Sequence, residues 1–376
     1  MTTKTIDAAV LDRSGDNPQP YAENGAMRMA RLELDPPGPD ELLIRMEAAG
    51  LCHSDLSVVN GDRVRPVPMA LGHEGTGIIE QVGPGVDTFV PGDRVVLAFL
   101  PACGACVPCM SGEGYLCQKG AAANGKGEML NGGFRLHECD HDVHHHLGVS
   151  AFASHAVIDR RSAVKVPADI PAEIAAVFGC AVLTGVGAAM NSAKIRPGEN
   201  VVIFGLGGVG LAAVMGAMAS GAANVIGVDP MTEKTALAKE IGAHGVTPDD
   251  LDDAIAQIMP GGPDVVIETA GRGKVLETAY HTARRGGRIV TVGLPPPSDP
   301  FTIPALSLVA EGKTVIGSYM GSAIPARDIP RYIALWKAGK LPVEKLVSST
   351  HRLDEINAMM DRMAQSQGIR QIILFD

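Results

Sequence analysis

The chain lacks a basic excess: 42 Asp and Glu residues stand against 32 Lys and Arg, for a net charge of −10 over 376 residues. That balance argues against nucleic acid or an anionic membrane surface as the main partner, because both recruit positive charge. The opening "MTTKTIDAAVLDRSGDNPQP" lacks the apolar stretch of a signal peptide, so export is not expected. Asn200 to Val228 carries no charge, yet it is no membrane span. Glycines from Gly205 to Gly227 break it into strand, tight turn and buried helix. Internal repeats are missing too. Cysteine is scarce, at seven residues. These absences describe a soluble, cytoplasmic protein, and in a reducing compartment closely spaced thiols are metal ligands or catalysts more often than disulfides.

Apolar residues at 46% and charged ones at 20% give a globular balance, with length for two or three domains. The first 180 residues are rich in glycine, proline and short β-branched runs such as "ELLIRM" (41–46), "GTGIIEQVG" (75–83) and "GDRVVLAF" (92–99), an all-β texture. From Asn200 the texture changes. "NVVIFG", "NVIGVD", "DVVIETA" and "GRIVTVG" are buried-strand patterns, and most are separated by helical stretches such as "LAAVMGAMASG" and "MTEKTALAKEIG". Strand alternating with helix predicts a parallel α/β sheet. The tail has two amphipathic helical patterns, "RDIPRYIALWKAGK" and "LDEINAMMDRMAQ", before the apolar strand "QIILF".

"GLGGVG" fits G-x-G-x-x-G with Gly205, Gly207 and Gly210. The pattern alone is weak, since a glycine-rich turn in another α/β protein would match it. Here it follows a strand, opens a helix and precedes Asp229 at the end of the next strand. The glycines permit a tight turn and close backbone approach, the helix N-terminus faces a pyrophosphate, and the carboxylate takes the adenosine ribose. Asp229 would repel a 2′-phosphate, so NAD is expected over NADP; the nearest cation after it is Lys234.

Cys103, Cys106, Cys109 and Cys117 are spaced C-x2-C-x2-C-x7-C. Four thiolates on a tight loop suit a closed tetrahedral zinc site. An iron–sulfur cluster ranks below it because the last gap is long, and a disulfide pair ranks lower still. A second set is dispersed: Cys52 in "GLCHSD", His73 and Glu74 in "LGHEG", and Cys180 in "FGCAVLTG". Two thiolates and an imidazole make a zinc site with one position open, although each residue taken singly would read as plain packing.

"GLCHSDL", "ALGHEGTG", "PGDRVV", the four-cysteine lobe, "GCAVLTGVGAA" and "GLGGVG" together resemble the zinc-containing medium-chain alcohol dehydrogenases over nearly the whole chain. The resemblance implies a β-rich GroES-like catalytic domain over 1–182 with its structural zinc lobe at 103–117. A doubly wound Rossmann domain would follow over 183–324, and residues 325–376 would return to the catalytic domain. Substrate and nicotinamide would meet in the cleft between them.

It further implies two zinc ions per chain, one structural on the lobe and one catalytic on Cys52, His73 and Cys180. An alcohol held on the catalytic metal would pass hydride to NAD, with Asp55 orienting His73, Glu74 a transient ligand and Ser54 taking the proton. His53, Thr184, Gly205, Gly207, Gly208, Val209, Gly210, Asp229, Lys234, Val292 and Arg370 would meet the coenzyme. Phe99, Phe152, Leu294 and Tyr319 would line an apolar pocket for medium-sized or aromatic primary alcohols, with ordinary core packing the competing reading for each. The long segment 119–147 matches the forms that are homodimers, and a tetramer is the larger alternative.

Three positions depart from the family. His53 stands where relatives carry an arginine for the pyrophosphate, and Ser57 where many carry the last histidine of the proton relay. Ala121 replaces an arginine found in enzymes acting on glutathione-bound formaldehyde, which disfavours that runner-up activity. A zinc-ribbon binding protein is the rival outside enzymes, and the acidic charge and the second metal set argue against it. The histidine tract His141, His144, His145 and His146 is expected to form a solvated or interface loop, and Cys139 a plain buried or partly exposed thiol.

Overall fold

The computed structural model describes residues 3–376. The described chain divides into two compact units, one of residues 3–180, 324–329 and 347–376, the other of 181–323 and 330–346. One change of unit, between residues 329 and 330, falls inside the helix Pro325–Lys337, where Pro330 interrupts the helical hydrogen bonding.

The first unit is built from β1 (Lys4–Leu11), β2 (Met27–Leu34), β3 (Glu41–Gly50), β4 (Met69–Ala70), β5 (Gly75–Val82), β6 (Arg94–Leu97), β7 (Leu136–Glu138), β8 (His141–His145), β9 (His155–Asp159) and β10 (Ala163–Lys165). Strands β1, β2, β7, β8 and β4 close into a small barrel. Its interior is filled by Ile6, Val10, Leu32, Leu34 and Val143, and burying each such side chain contributes about 1.5–3 kcal/mol.

The second unit carries β11 (Asn200–Phe204), β12 (Asn224–Val228), β13 (His244–Val246), β14 (Val265–Glu268), β15 (Arg288–Thr291) and β16 (Thr314–Gly317). They form one parallel sheet in the order β13-β12-β11-β14-β15-β16, the doubly wound order. Val202, Ile226, Val266 and Ile289 are wholly buried because helices cover parallel strands on both faces. Strands β13 and β16 are mostly half-buried or exposed and lack the continuous apolar run that marks the inner strands.

The chain then returns to the first unit with β17 (Val347–His351) and β18 (Arg370–Leu374). These join a seven-stranded sheet in the order β10-β6-β5-β3-β18-β17, with β9 also on β3. One edge of β3 is shared: Glu41 to Arg45 pairs with β9, and Ala48 to Gly50 pairs with β18. That division sets the end of β3, and hence Cys52, beside the start of β18. No described helix is long and apolar enough to cross a membrane.

The histidine tract departs from expectation. It is mostly strand, not solvated loop: His141–His145 is β8, with His141 exposed and His145 and His146 each 1% exposed. Strand alternation inside a small barrel forces every second side chain inward whatever its polarity. Cys139, in the two-residue turn between β7 and β8, is exposed.

Candidate functional site: two cysteine clusters and a nucleotide loop

Cys52 caps the helix His53–Val59, and the Asp55 side chain turns back to accept the Cys52 N–H at 3.0 Å through Oδ2. This reciprocal cap fixes the thiol at the helix start. The β4–β5 connection delivers His73 and Glu74. Cys180 follows the helix Ala172–Val177. One ligand atom from each of Cys52, His73, Glu74 and Cys180 lies within 4.8 Å of the others, and all four residues are buried.

His73 is held from one side only. Its Nδ1 lies 2.9 Å from Asp55 Oδ1, while its buried Nε2 has no hydrogen-bond partner among the described residues. Both Glu74 carboxylate oxygens are likewise buried without a hydrogen bond, and the nearest charge is Arg370 Nη2 at 3.4 Å. Arg370 is 3% exposed and donates from Nη1 to the Leu51 carbonyl at 3.0 Å. Arg370, expected at the coenzyme, lies against Glu74 in the buried cluster.

Burial and mutual contact set the charges of the cluster. Burial strips water from the Glu74 carboxyl and pushes it up to about 7, against the pull of Arg370. The Cys180 S–H donating to Cys52 holds the Cys52 thiol well below the usual thiol range, and the same contact pushes Cys180 up. Burial opposes a charge on His73, but the Asp55 carboxylate outweighs it and raises the imidazole. Two thiols, a carboxyl and a bare imidazole nitrogen with so few donors fit a divalent cation.

The lobe behaves differently. Cys103, Cys106, Cys109 and Cys117 also bring their sulfurs within 4.8 Å, but the first three are only half-buried. Backbone N–H groups point at the sulfurs: Cys103 N and Gly120 N reach Cys117 Sγ at 3.2 and 3.3 Å, and Ala105 N reaches Cys103 Sγ at 3.5 Å. The Cys109 N–H pulls the Cys106 thiol down to about 6, while burial pushes Cys109 up to about 12. All seven cysteines are free. Four convergent sulfurs with backbone donors could hold a metal ion in a closed site.

In the second unit, "GLGGVG" joins β11 to the helix Gly208–Ala219, whose N-cap is Gly207. Gly205 has φ +84°, and a Cβ on Gly210 would collide with the Gly205 carbonyl oxygen, so neither tolerates a side chain. Asp229 Oδ2 accepts the Leu206 N–H at 2.8 Å and Oδ1 accepts the Met231 N–H at 2.9 Å, which fixes the carboxylate beside the loop. Gly208, Thr184 and Val292 are buried, and Val209 and Lys234 half-buried.

The remaining expected residues are less uniform. Ser54 is half-buried and His53 exposed, and Ser57 Oγ donates to the His53 carbonyl at 2.7 Å. Phe99 meets the His73 ring edge to face at 5.5 Å. Phe152 is 0% exposed and packs in the core, Tyr319 is half-buried, and Leu294 is 51% exposed. Sequence reasoning missed His146, which the fold brings to 3.2 Å from Asp55. The parallel register of β4 and β8, with Ala70 opposite His145, is what carries it there.

Two family models match the chain: the alcohol dehydrogenase GroES-like domain over 38–168 and the zinc-binding dehydrogenase over 208–338. Alcohol dehydrogenase B of Mycobacterium tuberculosis is 37% identical over 360 residues, 94% of this chain and 96% of the relative. A zinc-binding-domain alcohol dehydrogenase protein of Burkholderia ambifaria superposes with a TM-score of 0.93 at 33% identity, covering 100% of both chains. Benzyl alcohol dehydrogenase of Acinetobacter calcoaceticus does so with 0.91 at 33% identity, covering 99% of this chain and 100% of the other. Two matched domains, a relative aligned almost end to end, a doubly wound sheet and a GroES-like unit lead to one assignment: the chain belongs to the zinc-binding, medium-chain alcohol dehydrogenase family.

Proposed function

We propose that this chain is an NAD-dependent alcohol dehydrogenase with two zinc ions, interconverting a medium-sized or aromatic primary alcohol and its aldehyde. The observation that carries the reading is His73, whose Nδ1 is tied to Asp55 while its buried Nε2 is left bare among Cys52, Cys180 and Glu74. Cys52, His73 and Cys180 would hold the catalytic zinc, and Cys103, Cys106, Cys109 and Cys117 the structural one. When bound, zinc lowers the pKa of an alcohol oxygen and the nicotinamide takes hydride from its carbon.

The protein's own groups then have distinct tasks. Asp55 keeps the proton on His73 Nδ1, so that Nε2 presents its lone pair. Glu74, uncharged or charged near neutrality, would be a further ligand to the metal, with Arg370 compensating its charge. Ser54 receives the alcohol proton at Oγ and hands it on. Ser57 donates its hydrogen to the His53 carbonyl and is poorly placed to carry that proton further. Asp229 receives the adenosine ribose and repels a 2′-phosphate. The backbone N–H groups at Gly207 and Gly208 face the pyrophosphate, beside Val209, Gly210 and Lys234.

Likeness to a benzyl alcohol dehydrogenase supports aromatic alcohols as the substrate class. A homodimer in the cytoplasm completes the proposal. The edge strand β16 supports it, because its outer edge is unpaired among the described residues while Leu306 and Val309 nearby in sequence are 77% and 81% exposed. The test is a panel of aliphatic and aromatic alcohols followed by coenzyme reduction with NAD and with NADP, alongside zinc analysis and sedimentation. Two zinc per chain and NAD-linked oxidation of benzyl-type alcohols are expected. A preference for NADP, or turnover only with added glutathione, would overturn it.

A further inference from the structure

Asp55 serves more than one imidazole. Its Oδ1 lies 2.9 Å from His73 Nδ1 and 3.2 Å from His146 Nδ1, while Oδ2 takes the Cys52 N–H. All three side chains are buried. The His146 ring also meets the His73 ring edge to face, 5.5 Å between centroids at 89°, and Phe99 meets it with the same distance and angle. The His73 ring is therefore held by one hydrogen bond and two perpendicular rings.

His146 is itself firmly placed. It directly follows β8, its N–H donates to Ser150 Oγ at 3.0 Å, and its carbonyl accepts the N–H groups of Val149 and Ser150 at 3.0 and 3.2 Å. Its buried Nδ1 has no hydrogen-bond partner among the described residues, and the Asp55 carboxylate oxygen 3.2 Å away faces it as an ion-pair contact. A buried polar nitrogen facing only a carboxylate oxygen gains most by carrying a proton toward it.

We propose that His146 is a positioning residue for the metal: facing Asp55 Oδ1 while the Cys52 N–H holds Oδ2, it fixes the carboxylate so that His73 keeps its proton on Nδ1 and offers Nε2. The His146–Asp55–His73 chain places a second imidazole behind the usual carboxylate partner of a ligand histidine. It makes ligand geometry depend on the His146–Ser150 turn as well as on the helix His53–Val59. The inference rests on the proposed ligand set of Cys52, His73 and Cys180.

The test loads the lobe with Zn2+ and titrates the dispersed cluster with Co2+, following the thiolate-to-cobalt absorption and competition with a chelator. His146→Phe keeps a ring against His73 but removes the nitrogen, and should weaken metal binding about 10- to 100-fold and shift the cobalt spectrum. His146→Asn returns a donor near the Nδ1 position and should recover most of the affinity. Retained zinc on the lobe reports that each variant folds. Parent-like cobalt binding and spectrum in His146→Phe would overturn the role of His146, as would equal weakening in both variants, which would assign the effect to ring packing. The ligand set is checked separately by Cys180→Ala. Parent-like cobalt binding there would sink the underlying reading, whereas loss in Cys180→Ala with none in His146→Phe would sink only this inference.

Discussion

The lobe and the dispersed cluster both gather thiols, but in opposite environments. On the lobe the four sulfurs come from one fifteen-residue loop, mostly half-buried, with backbone N–H groups already aimed at them. In the dispersed cluster the ligand atoms come from three separate segments, all buried. His73 Nε2 and both Glu74 oxygens lack hydrogen bonds. A loop can satisfy its own thiolates locally, so the first cluster is nearly self-contained. A buried group left without a partner costs about 1–3 kcal/mol, so the second cluster is complete only with an occupant. Under the proposed function, the comparison separates a site that would maintain structure from one that would be kept ready for chemistry.

Removing one ligand from each cluster is the strongest way to break this comparison. Cys180→Ala should abolish alcohol oxidation while coenzyme binding, measured by fluorescence titration, stays near the parent level. Near-normal turnover would remove Cys180 from the open set. The lobe should respond in the opposite currency. Cys103→Ser should lose one zinc and several kcal/mol of folding stability, part of the roughly 10–16 kcal/mol available to a structural zinc site. A variant that keeps two zinc and the parent's denaturation midpoint would erase the distinction between the clusters.

A smaller change sharpens the picture inside the dispersed cluster. Ser54→Ala should slow single-turnover hydride transfer by about 10²-fold, the usual contribution of a placed proton acceptor, with little change in NAD affinity. Rates equal to the parent across pH would show that the proton leaves another way.

The smallest effect concerns burial in the barrel beside that cluster. His145 is buried, and burial, reinforced by Arg135, holds its imidazole down to about 3. The folded chain keeps it neutral while the unfolded chain takes a proton below about 6.5. Stability from this residue is therefore unaffected above that value and falls as pH drops toward 3, by about 2 kcal/mol at pH 5. His145→Gln retains an acceptor for the Arg135 N–H, which His145 Nε2 accepts at 3.0 Å, and removes the titration. Denaturation midpoints between pH 7 and 5 should slope less in the variant, and parallel slopes would refute the assignment.

Much was legible without coordinates, wherever the information is local. The apolar runs at 200–205, 224–229, 264–270 and 287–293 become β11, β12, β14 and β15, because strands buried on both faces must be continuously apolar. The glycines of "GLGGVG" and the spacing of the four lobe cysteines are equally direct, since each motif closes on itself within a single turn or loop. Residue type and family likeness link Cys52, His73 and Cys180; nothing in their spacing joins them. By itself the amino-acid sequence determined the two architectures, the nucleotide turn and the convergence of the lobe thiols. Only the tertiary structure decided that Arg370 faces Glu74, that His145 lies inside the barrel, and that His146 reaches Asp55. Those meetings depend on strand register and sheet closure: β18 beside the end of β3, and Ala70 opposite His145. Register couples residues hundreds of positions apart through backbone hydrogen bonds that leave no periodic trace in the chain.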